Sequence, residues 1–308
     1  MARPAVFITD SVDDAAIRQI ETIADVTVDH KISGEDLIAV IGNYDGLVVR
    51  SRTKVNRAVI AAASKLRVIG RAGVGVDNID VAAATEKGIV VVNSPLAATI
   101  AVAELTLGMM LALARDLPQA NASMKRGEWD KKRFKGTELF GKTLGLVGMG
   151  RIGSAVAGRA SALGMHVISF DPYVNPNQTA PEHLHQVLAQ SDYVSVHTPL
   201  TAETQGLINA AAFAAMKPGA YIVCTARGGV IDEAALVAAL NSGKVAGAAL
   251  DVFETEPPGA TELVLHPKVI ATPHVGANTD EAQLRAGEDI AQEIIAALTG
   301  KPTHFRVN

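Results

Sequence analysis

Cysteine is nearly absent from this sequence, since Cys224 is the only one among 308 residues. A single cysteine excludes an intrachain disulfide and a metal cluster built on cysteines, and no His/Cys group has the spacing of a zinc site. Cys224 lies within an apolar segment typical of a buried strand, where a thiol is unreactive. We therefore expect no metal and a reduced, cytoplasmic setting.

The sequence also lacks an excess of basic charge and a long apolar segment. Its 28 Lys and Arg residues face 32 Asp and Glu residues, and the net charge is −4. The most apolar helix candidate, residues 99–115, contains Glu104 and is too short to span a bilayer. The N-terminus lacks the apolar core of a signal peptide. We expect neither nucleic acid nor a membrane as partner, so local arginines must bind any acidic substrate.

Short strand patterns alternate with helix patterns along the chain, which predicts parallel sheets built from right-handed βαβ units. In the first part, strands are expected at residues 5–9, 25–28, 46–49, 67–70 and 89–92. In the second part, they are expected at residues 143–147, 166–170, 193–197, 221–224, 246–250 and 269–271. Six strands with a glycine turn after the first are typical of the doubly wound Rossmann fold.

The chain is long enough for two domains with separate cores. We predict an α/β protein of two open parallel-sheet domains, with a Rossmann dinucleotide-binding domain inserted in a flavodoxin-like substrate domain. The substrate domain is expected at residues 1–97, completed by residues 285–308, and the cofactor domain at residues 98–284. The helix at 99–115 would carry the chain into the second domain, and an amphipathic helix at 279–298 would return it to the first.

The most informative motif is the glycine turn at residues 143–153. Gly148 allows the tight turn, Gly150 lets backbone N–H groups approach a pyrophosphate, and Gly153 lets the following helix pack closely on its strand. Alone, this spacing also occurs in ordinary loops, but here a strand precedes it and a helix follows. Asp171 ends the next strand, where its carboxylate can bind the ribose hydroxyls and repel a 2′-phosphate. These features predict NAD rather than NADP.

Side chains that could take part in a reaction follow three consecutive strands of this domain. Arg227 can hold a substrate carboxylate and polarise a carbonyl oxygen. His274 can exchange the hydroxyl proton, and Glu256 can fix the tautomer of its ring. Asp251 is suited to the nicotinamide end of the cofactor, which carries the hydride chemistry. This set predicts a dehydrogenase of 2-hydroxy acids.

Each of these residues also has a structural interpretation. Arg227 could form a surface ion pair, His274 could be a satisfied strand-end histidine, and Glu256 could be a solvated loop acid. Their joint placement after three strands favours the catalytic interpretation, and no G-x-S-x-G motif competes with it. For His197, which also ends a strand, we prefer a structural role or one at the cofactor's edge.

Several stretches together resemble the D-isomer-specific 2-hydroxyacid dehydrogenases from end to end. They are residues 46–55, 71–80, 129–139, 143–153, 225–229 and 247–256. The resemblance implies that Arg227, Glu256 and His274 form the catalytic trio. It implies cofactor contacts at Gly148, Gly150, Arg151, Ile152, Gly153, Asp171, Thr198, Pro199, Thr225, Ala226, Arg227, Asp251, His274, Gly276 and Ala277. It implies substrate contacts at Arg50, Ser51, Arg71, Val74 and Gly75.

The identity of the substrate stays open at this stage. Arg50 and Arg71 favour an acid with a second anionic group, phosphate or sulfonate. The resemblance makes 3-phospho-D-glycerate, oxidised in serine biosynthesis, the leading candidate. Ala97 and Ala98, however, replace a Gly-Asn pair common in the family's substrate loop. The alternatives are a sister dehydrogenase for glyoxylate, hydroxypyruvate, a branched 2-oxo acid or sulfolactate, and a non-enzymatic NAD-sensing corepressor.

The resemblance also implies a homodimer joined through the cofactor domain. The helix at 99–115 and the segment at 126–135 are the candidate contacts. Because the chain ends ten residues after its last helix, we expect no inhibition by serine of the kind that a C-terminal regulatory domain confers on longer family members.

Overall fold

The structure is a computed structural model that describes residues 3–175, 177 and 181–308. The chain divides into two compact units. Unit 1 comprises Met1–Thr99 and Ala277–Asn308, and unit 2 comprises Ile100–Gly276. The divisions thus fall after residues 99 and 276, whereas the sequence placed them after 97 and 284. Within the described ranges, no helix combines the length and the apolar character needed to cross a membrane.

Unit 1 is built on a five-stranded parallel sheet. Its strands are β1 (Ala5–Ile8), β2 (Asp25–Val28), β3 (Gly46–Val49), β4 (Val68–Arg71) and β5 (Val90–Asn93). Its helices are α1 (Asp14–Glu21), α2 (Gly34–Val40), α3 (Arg57–Ala62), α4 (Val81–Glu86) and α12 (Asp280–Leu298), with a 3₁₀ turn at Ile41–Asn43. The strand order β2-β1-β3-β4-β5 is that of flavodoxin-like sheets.

The two faces of this sheet bury alternate residues of each strand. Phe7 and Val91 belong to a core that also contains residues of α2, α3 and α4. Val6 and Val92 belong to the opposite core, which contains residues of α1 and α12. Both faces are covered, which explains why the strands are almost wholly apolar. A Cβ at Gly70 would lie 3.0 Å from Ile294 Cδ1, so α12 packs tightly on β4.

Unit 2 is built on a six-stranded parallel sheet. Its strands are β6 (Thr143–Val147), β7 (His166–Phe170), β8 (Tyr193–Val196), β9 (Ala220–Cys224), β10 (Val245–Leu250) and β11 (Val269–Ala271). Its helices are α5 (Thr99–Ala114), α6 (Leu117–Lys125), α7 (Arg151–Ala162), α8 (Pro181–Gln190), α9 (Ala210–Ala215), α10 (Glu233–Asn241) and α11 (Glu262–Leu265). The strand order is β11-β10-β9-β8-β6-β7.

This strand order places the functional edge of unit 2. The order in which strands are added to the sheet reverses between β6 and β8, because β7 lies on one side of β6 and the later strands lie on the other. In open α/β sheets, ligands bind at such a point, beyond the carboxyl ends of the strands. Apolar residues of α5 and α7 cover one face, and residues of α8, α9 and α10 cover the other.

The predicted fold class is confirmed, since both sheets are open and wholly parallel among their named strands. Every predicted strand is present, and its ends lie within one residue of those predicted. Polar residues begin the helices as expected. Thr279, for example, accepts the N–H of Ala282 at the start of α12, and Asp232 accepts that of Ala235 at the start of α10.

Candidate active site

The glycine turn of unit 2 joins β6 to α7. Gly148 has a φ of 101°, and a Cβ there would lie 2.8 Å from the carbonyl carbon of His197. A Cβ at Gly153 would lie 2.1 Å from the Gly148 carbonyl oxygen. Both positions therefore require glycine, one for its backbone conformation and the other for the close approach of α7 to the turn.

The first turn of α7 has the features of an anion site. Gly150 precedes the helix and provides no side-chain cap, and a Cβ there would meet no atom within 4 Å. The first N–H groups of a helix have no partner within it, so the first turn, which carries Arg151 and Ile152, can donate to an anion in the open space beside Gly150. The hydroxyl oxygen of Thr198 is buried and has no partner among the described residues. These features fit a dinucleotide pyrophosphate, which the first-turn N–H groups and the Thr198 hydroxyl would hold, with the exposed Pro199 next to them in the chain.

Asp171 follows β7 and fixes the shape of this turn. One carboxylate oxygen accepts the Met149 N–H at 2.7 Å, and the other accepts the N–H groups of Tyr173 at 2.9 Å and Val174 at 3.2 Å. The residue thus joins the end of β7 to the glycine turn. Its carboxylate is oriented before any ribose hydroxyl is bound, and the adjacent Tyr173 contributes no positive charge.

His197 lies directly under the glycine turn, after β8. Its Nε2 is 2.9 Å from the Ser195 hydroxyl, and its buried Nδ1 has no partner in the described part of the chain. The ring is withdrawn from water although the residue keeps some exposed surface, and this burial lowers the pKa of His197 to about 4. The imidazole is therefore neutral at physiological pH, which agrees with a structural role rather than acid–base chemistry.

The catalytic candidates follow three adjacent strands of unit 2. Arg227 follows β9, Glu256 follows β10 and His274 follows β11, and these strands are neighbours in the sheet. A Cβ at Gly228 would lie 1.8 Å from the Phe253 carbonyl oxygen, so the loop that carries Arg227 packs directly on the loop that carries Glu256. Arg227 donates from Nη1 to the Ala226 carbonyl at 2.7 Å.

Glu256 and His274 form a hydrogen-bonded pair. His274 Nδ1 lies 2.8 Å from Glu256 Oε2, and the other oxygen of Glu256 accepts the Phe253 N–H at 3.2 Å. The carboxylate holds the proton on Nδ1, so Nε2 can accept a proton. The side chain of His274 is 49% exposed, so the ring is accessible to a substrate.

Asp251 lies at the end of β10 and is almost fully buried. Its Oδ1 accepts the Thr272 hydroxyl and the Val275 N–H at 2.8 Å, and its Oδ2 accepts the Gly276 N–H at 2.8 Å. The structure therefore gives Asp251 a role that its predicted cofactor contact did not include, because it holds the loop on which His274 lies. Ala277, the next predicted cofactor contact, is the first residue of the second segment of unit 1.

Two further residues at the end of β9 are enclosed by protein. The Thr225 hydroxyl is 2.9 Å from the Thr106 hydroxyl of α5, and Thr106 in turn donates to the Val102 carbonyl at 2.8 Å. Burial raises the pKa of the Cys224 thiol to about 11. Cys224 is thus a packing residue with no reactive thiolate.

Arg50 and Ser51 lie at the carboxyl edge of the sheet of unit 1, after β3. The backbone N–H of Arg50 donates to Asp10 at 2.6 Å. Its guanidinium reaches only neutral acceptors, the Ser11 carbonyl at 3.3 Å and the Gln283 amide oxygen at 3.4 Å. Among the described residues, no carboxylate lies within ion-pair distance of Arg50, so its charge is available to an anion.

Arg71 ends β4, and its backbone lies opposite Val49 at the neighbouring strand end. Gly73 has a φ of 145°, and a Cβ there would lie 1.6 Å from Arg71 Nη1, so the guanidinium packs directly on this glycine. The predicted contacts Val74 and Gly75 follow in the same loop. Asn93 holds this loop through the Val74 carbonyl, at 2.5 Å. Both predicted anion-binding arginines therefore lie at one edge of one sheet.

The loop that contains Ala97 and Ala98 follows β5. Both side chains are buried. The Ala97 carbonyl accepts two hydrogen bonds from Arg285 of α12, from Nε at 3.1 Å and from Nη2 at 3.0 Å. The backbone of this loop is thus fixed, and neither alanine offers a polar side-chain group.

The sequence did not single out Thr272, Ser195 or Thr106. Each of their hydroxyl groups contacts a residue discussed in the sequence analysis rather than a ligand. Contacts of this kind have no sequence motif. The position of Thr272, directly after β11 and two residues before His274, is the only signal that could have identified it. In the described part of the chain, no group of three or more His, Cys, Asp or Glu side chains could hold a metal ion.

Comparison with known proteins identifies the domain in which most of these residues lie. Residues 107–276 match the family model described as "D-isomer specific 2-hydroxyacid dehydrogenase, NAD binding domain". This match confirms NAD as the predicted cofactor and a Rossmann domain as its binding unit. It covers the glycine turn, Asp171 and all three catalytic candidates.

The similarity to individual proteins extends over the whole chain. The D-3-phosphoglycerate dehydrogenase of Methanocaldococcus jannaschii is 51% identical over 98% of this chain and 59% of that relative. The crystal structure of the TT0316 protein from Thermus thermophilus is 36% identical, has a TM-score of 0.90 and covers 99% of this chain and 100% of that one. A glyoxylate reductase from Paecilomyes thermophila is 32% identical with a TM-score of 0.89, covering 100% of this chain and 99% of that one. The chain spans about three fifths of the length of the curated relative it matches.

Proposed function

Because the chain belongs to the D-isomer specific 2-hydroxyacid dehydrogenase family, we propose that it oxidises 3-phospho-D-glycerate to 3-phosphohydroxypyruvate with NAD, the entry into serine biosynthesis. The observation that carries the chemistry is the His274–Glu256 pair, joined at 2.8 Å beyond adjacent strands of the NAD-binding domain. The choice of substrate is supported by the 51% identity to a D-3-phosphoglycerate dehydrogenase.

The residues of unit 2 would divide the chemistry among them. His274 Nε2 takes the proton of the 2-hydroxyl group, and Glu256 stabilises the positive charge that the ring then carries. Arg227 binds the C1 carboxylate through its planar pair of donors and stabilises negative charge on the C2 oxygen. When bound, NAD supplies the acceptor for the hydride from C2. In the reverse direction His274 returns its proton to the C2 oxygen.

The residues of unit 1 would select the substrate. Arg50 carries a charge that no carboxylate of the described chain compensates, and Arg71 ends the adjacent strand. Two guanidinium groups at one sheet edge favour a substrate with a second anionic group over a smaller acid. A phosphate at C3 is such a group.

The test is NADH oxidation by the purified protein with 3-phosphohydroxypyruvate, compared with hydroxypyruvate, glyoxylate, pyruvate and sulfopyruvate at equal concentrations. We expect the highest kcat/KM with 3-phosphohydroxypyruvate. A higher kcat/KM with another acid would reject this substrate assignment but keep the dehydrogenase. No turnover of any acid would favour the corepressor that the sequence left open.

A second candidate is reduction of glyoxylate or hydroxypyruvate. It is favoured by the buried Ala97 and Ala98, which offer no polar side-chain group at these two positions of the substrate loop. The similarity to a glyoxylate reductase over nearly the full length of both chains also supports it. The same panel of acids distinguishes this candidate from the first.

We further propose that the protein acts in the cytoplasm as a homodimer. Unit 2 exposes large apolar side chains along the predicted contact segments, among them Ile100 (46% exposed), Leu111 (41%) and Trp129 (80%). Side chains of this kind are enriched where subunits meet. Light scattering at micromolar concentration should give about twice the chain mass of 32.0 kDa, whereas a monomer would reject the dimer.

A further inference from the structure

His274 lies in a backbone conformation that its own side chain does not favour. Its φ is 52°, in the left-handed region that few non-glycine residues adopt. Its N–H donates to the Thr272 carbonyl at 3.0 Å, which closes a tight turn across Pro273. The contact of Nδ1 with Glu256 at 2.8 Å depends on this turn, because it sets the direction of the ring.

The turn is anchored to the sheet by Asp251. This carboxylate is 1% exposed and accepts three donors from the segment that follows β11. Two of them are backbone groups, the Val275 and Gly276 N–H at 2.8 Å each. A Cβ at Gly276 would lie 3.0 Å from Asp251 Oδ2, so the backbone approaches the carboxylate closely. These two donors follow His274 in the chain, and the third precedes it.

The third donor to Asp251 is the hydroxyl of Thr272, the only side chain among them. We propose that Thr272 is a positioning residue for the acid–base reaction. Its hydroxyl fastens the start of the turn to Asp251, and its carbonyl holds the His274 N–H. Both contacts together keep His274 in the left-handed conformation in which Nδ1 meets Glu256.

Of the residues that hold this turn through side-chain contacts to Asp251, Thr272 can be changed without removing a charge. We call these contacts of Asp251 with the turn the clamp. Replacing Asp251 would take away the acceptor of the Val275 and Gly276 N–H groups and would remove a predicted cofactor contact. Thr272→Val keeps the size and branching of the side chain and removes only the hydroxyl. Without it, Asp251 loses a donor on the side of the turn that precedes His274, and we expect the ring to sample orientations away from Glu256.

This inference rests on the proposed function, because it assumes that His274 exchanges the substrate proton. The kinetic test compares Thr272→Val with Thr272→Ser, using the 2-oxo acid that the native protein reduces fastest. We expect Thr272→Val to lower kcat by about tenfold or more, because small displacements of a catalytic group are costly. The KM for the acid and the dissociation constant of NADH should change less than about threefold. Thr272→Ser, which keeps the hydroxyl, should restore most of kcat.

The control is Thr261→Val in the same unit. Thr261 accepts the Val264 N–H at 3.3 Å at the start of α11, so this variant also loses a hydroxyl contact and some stability. It should keep the native kcat. An equal loss of kcat in both valine variants, or a native kcat in Thr272→Val, would overturn the positioning role.

A spectroscopic readout separates this inference from the proposed function. Long-range ¹H–¹⁵N correlations of the histidine rings at alkaline pH, with His274→Gln identifying the signal, report which nitrogen carries the proton. We expect His274 to be protonated on Nδ1 in the native protein and in Thr272→Ser. In Thr272→Val, the population protonated on Nε2 should rise. If the native protein reduces no acid, this spectrum still tests whether Thr272 sets the orientation of the His274 ring. An unchanged tautomer in Thr272→Val would refute the positioning role.

Discussion

The carboxyl edges of the two sheets use a buried aspartate in the same way but present different chemistry. In unit 1, Asp10 follows β1 and accepts the Arg50 and Thr53 N–H groups and the Thr53 hydroxyl. In unit 2, Asp251 follows β10 and holds the loop that contains His274. Each aspartate fixes a neighbouring loop through backbone and hydroxyl donors.

The difference lies in how the charges at each edge are compensated. Asp10 forms an ion pair with Arg52 at 3.0 Å, and among the described residues the guanidinium of Arg50 has neutral contacts only. Asp251 accepts hydrogen bonds from neutral donors only among the described residues. The negative charge next to His274 is that of Glu256. One edge therefore presents a positive charge for binding, and the other presents an oriented acid–base pair. We therefore expect substitutions at the two edges to change different kinetic constants.

The largest effect should follow from removing the acid–base group. We expect His274→Gln to lower kcat on the order of a thousandfold, within the range of general acid–base catalysis. NADH binding, measured by fluorescence titration, should change less than about threefold. His266→Gln is the matched control, since this partly exposed histidine of unit 2 contacts Asn241 and Lys268 and none of the described catalytic candidates. A His274→Gln variant with native kcat would remove this residue from the mechanism.

The next effect concerns the buried imidazole of unit 2. Burial lowers the pKa of His197 to about 4, so the unfolded chain, with an ordinary histidine pKa near 6.5, binds a proton more readily than the folded chain. The free energy of unfolding should therefore fall as the pH drops from about 6.5 to 4, by at most about 3 kcal/mol from this residue. Urea unfolding across this range measures it.

In His197→Gln, this part of the acid sensitivity should be absent. His166→Gln, which replaces an exposed histidine on β7, should keep the native dependence on pH. If His197→Gln and the native protein lose stability equally between pH 6.5 and 4, the imidazole is not withdrawn from water as described.

A smaller effect should follow from changing the end of β7. We expect Asp171→Ala to weaken NADH binding by about tenfold and to reduce the preference for NADH over NADPH, because hydrogen bonds to a charged group contribute roughly 1.5–3 kcal/mol. Unit 1 provides the control, since Asp29 likewise follows a strand and accepts the Lys31 N–H at 2.8 Å. Asp29→Ala should leave both cofactor affinities unchanged. An unaltered cofactor preference in Asp171→Ala would refute the ribose assignment.

Features of the fold and the site that depend on local sequence patterns could be predicted, whereas those that depend on contacts between distant segments could not. The strands, the glycine turn and the residues after β9, β10 and β11 depend on local patterns, so they were predicted almost residue by residue. The pairing of His274 with Glu256 followed from the rule that parallel strand ends meet at one edge. The order of strands in unit 2 and the hydroxyl of Thr272 behind Asp251 depend on contacts between distant segments, which no local pattern encodes.

The most direct test of the division between the two edges is a ratio of specificities. It compares kcat/KM for 3-phosphohydroxypyruvate with that for hydroxypyruvate, in the native protein, in Arg50→Gln and in Arg52→Gln, whose charge Asp10 already pairs. We predict that Arg50→Gln lowers this ratio by about tenfold or more through the KM of the phosphorylated acid, with kcat for hydroxypyruvate near native. Arg52→Gln should keep the native ratio. An equal loss with both acids in Arg50→Gln, or a ratio that does not change, would contradict the account.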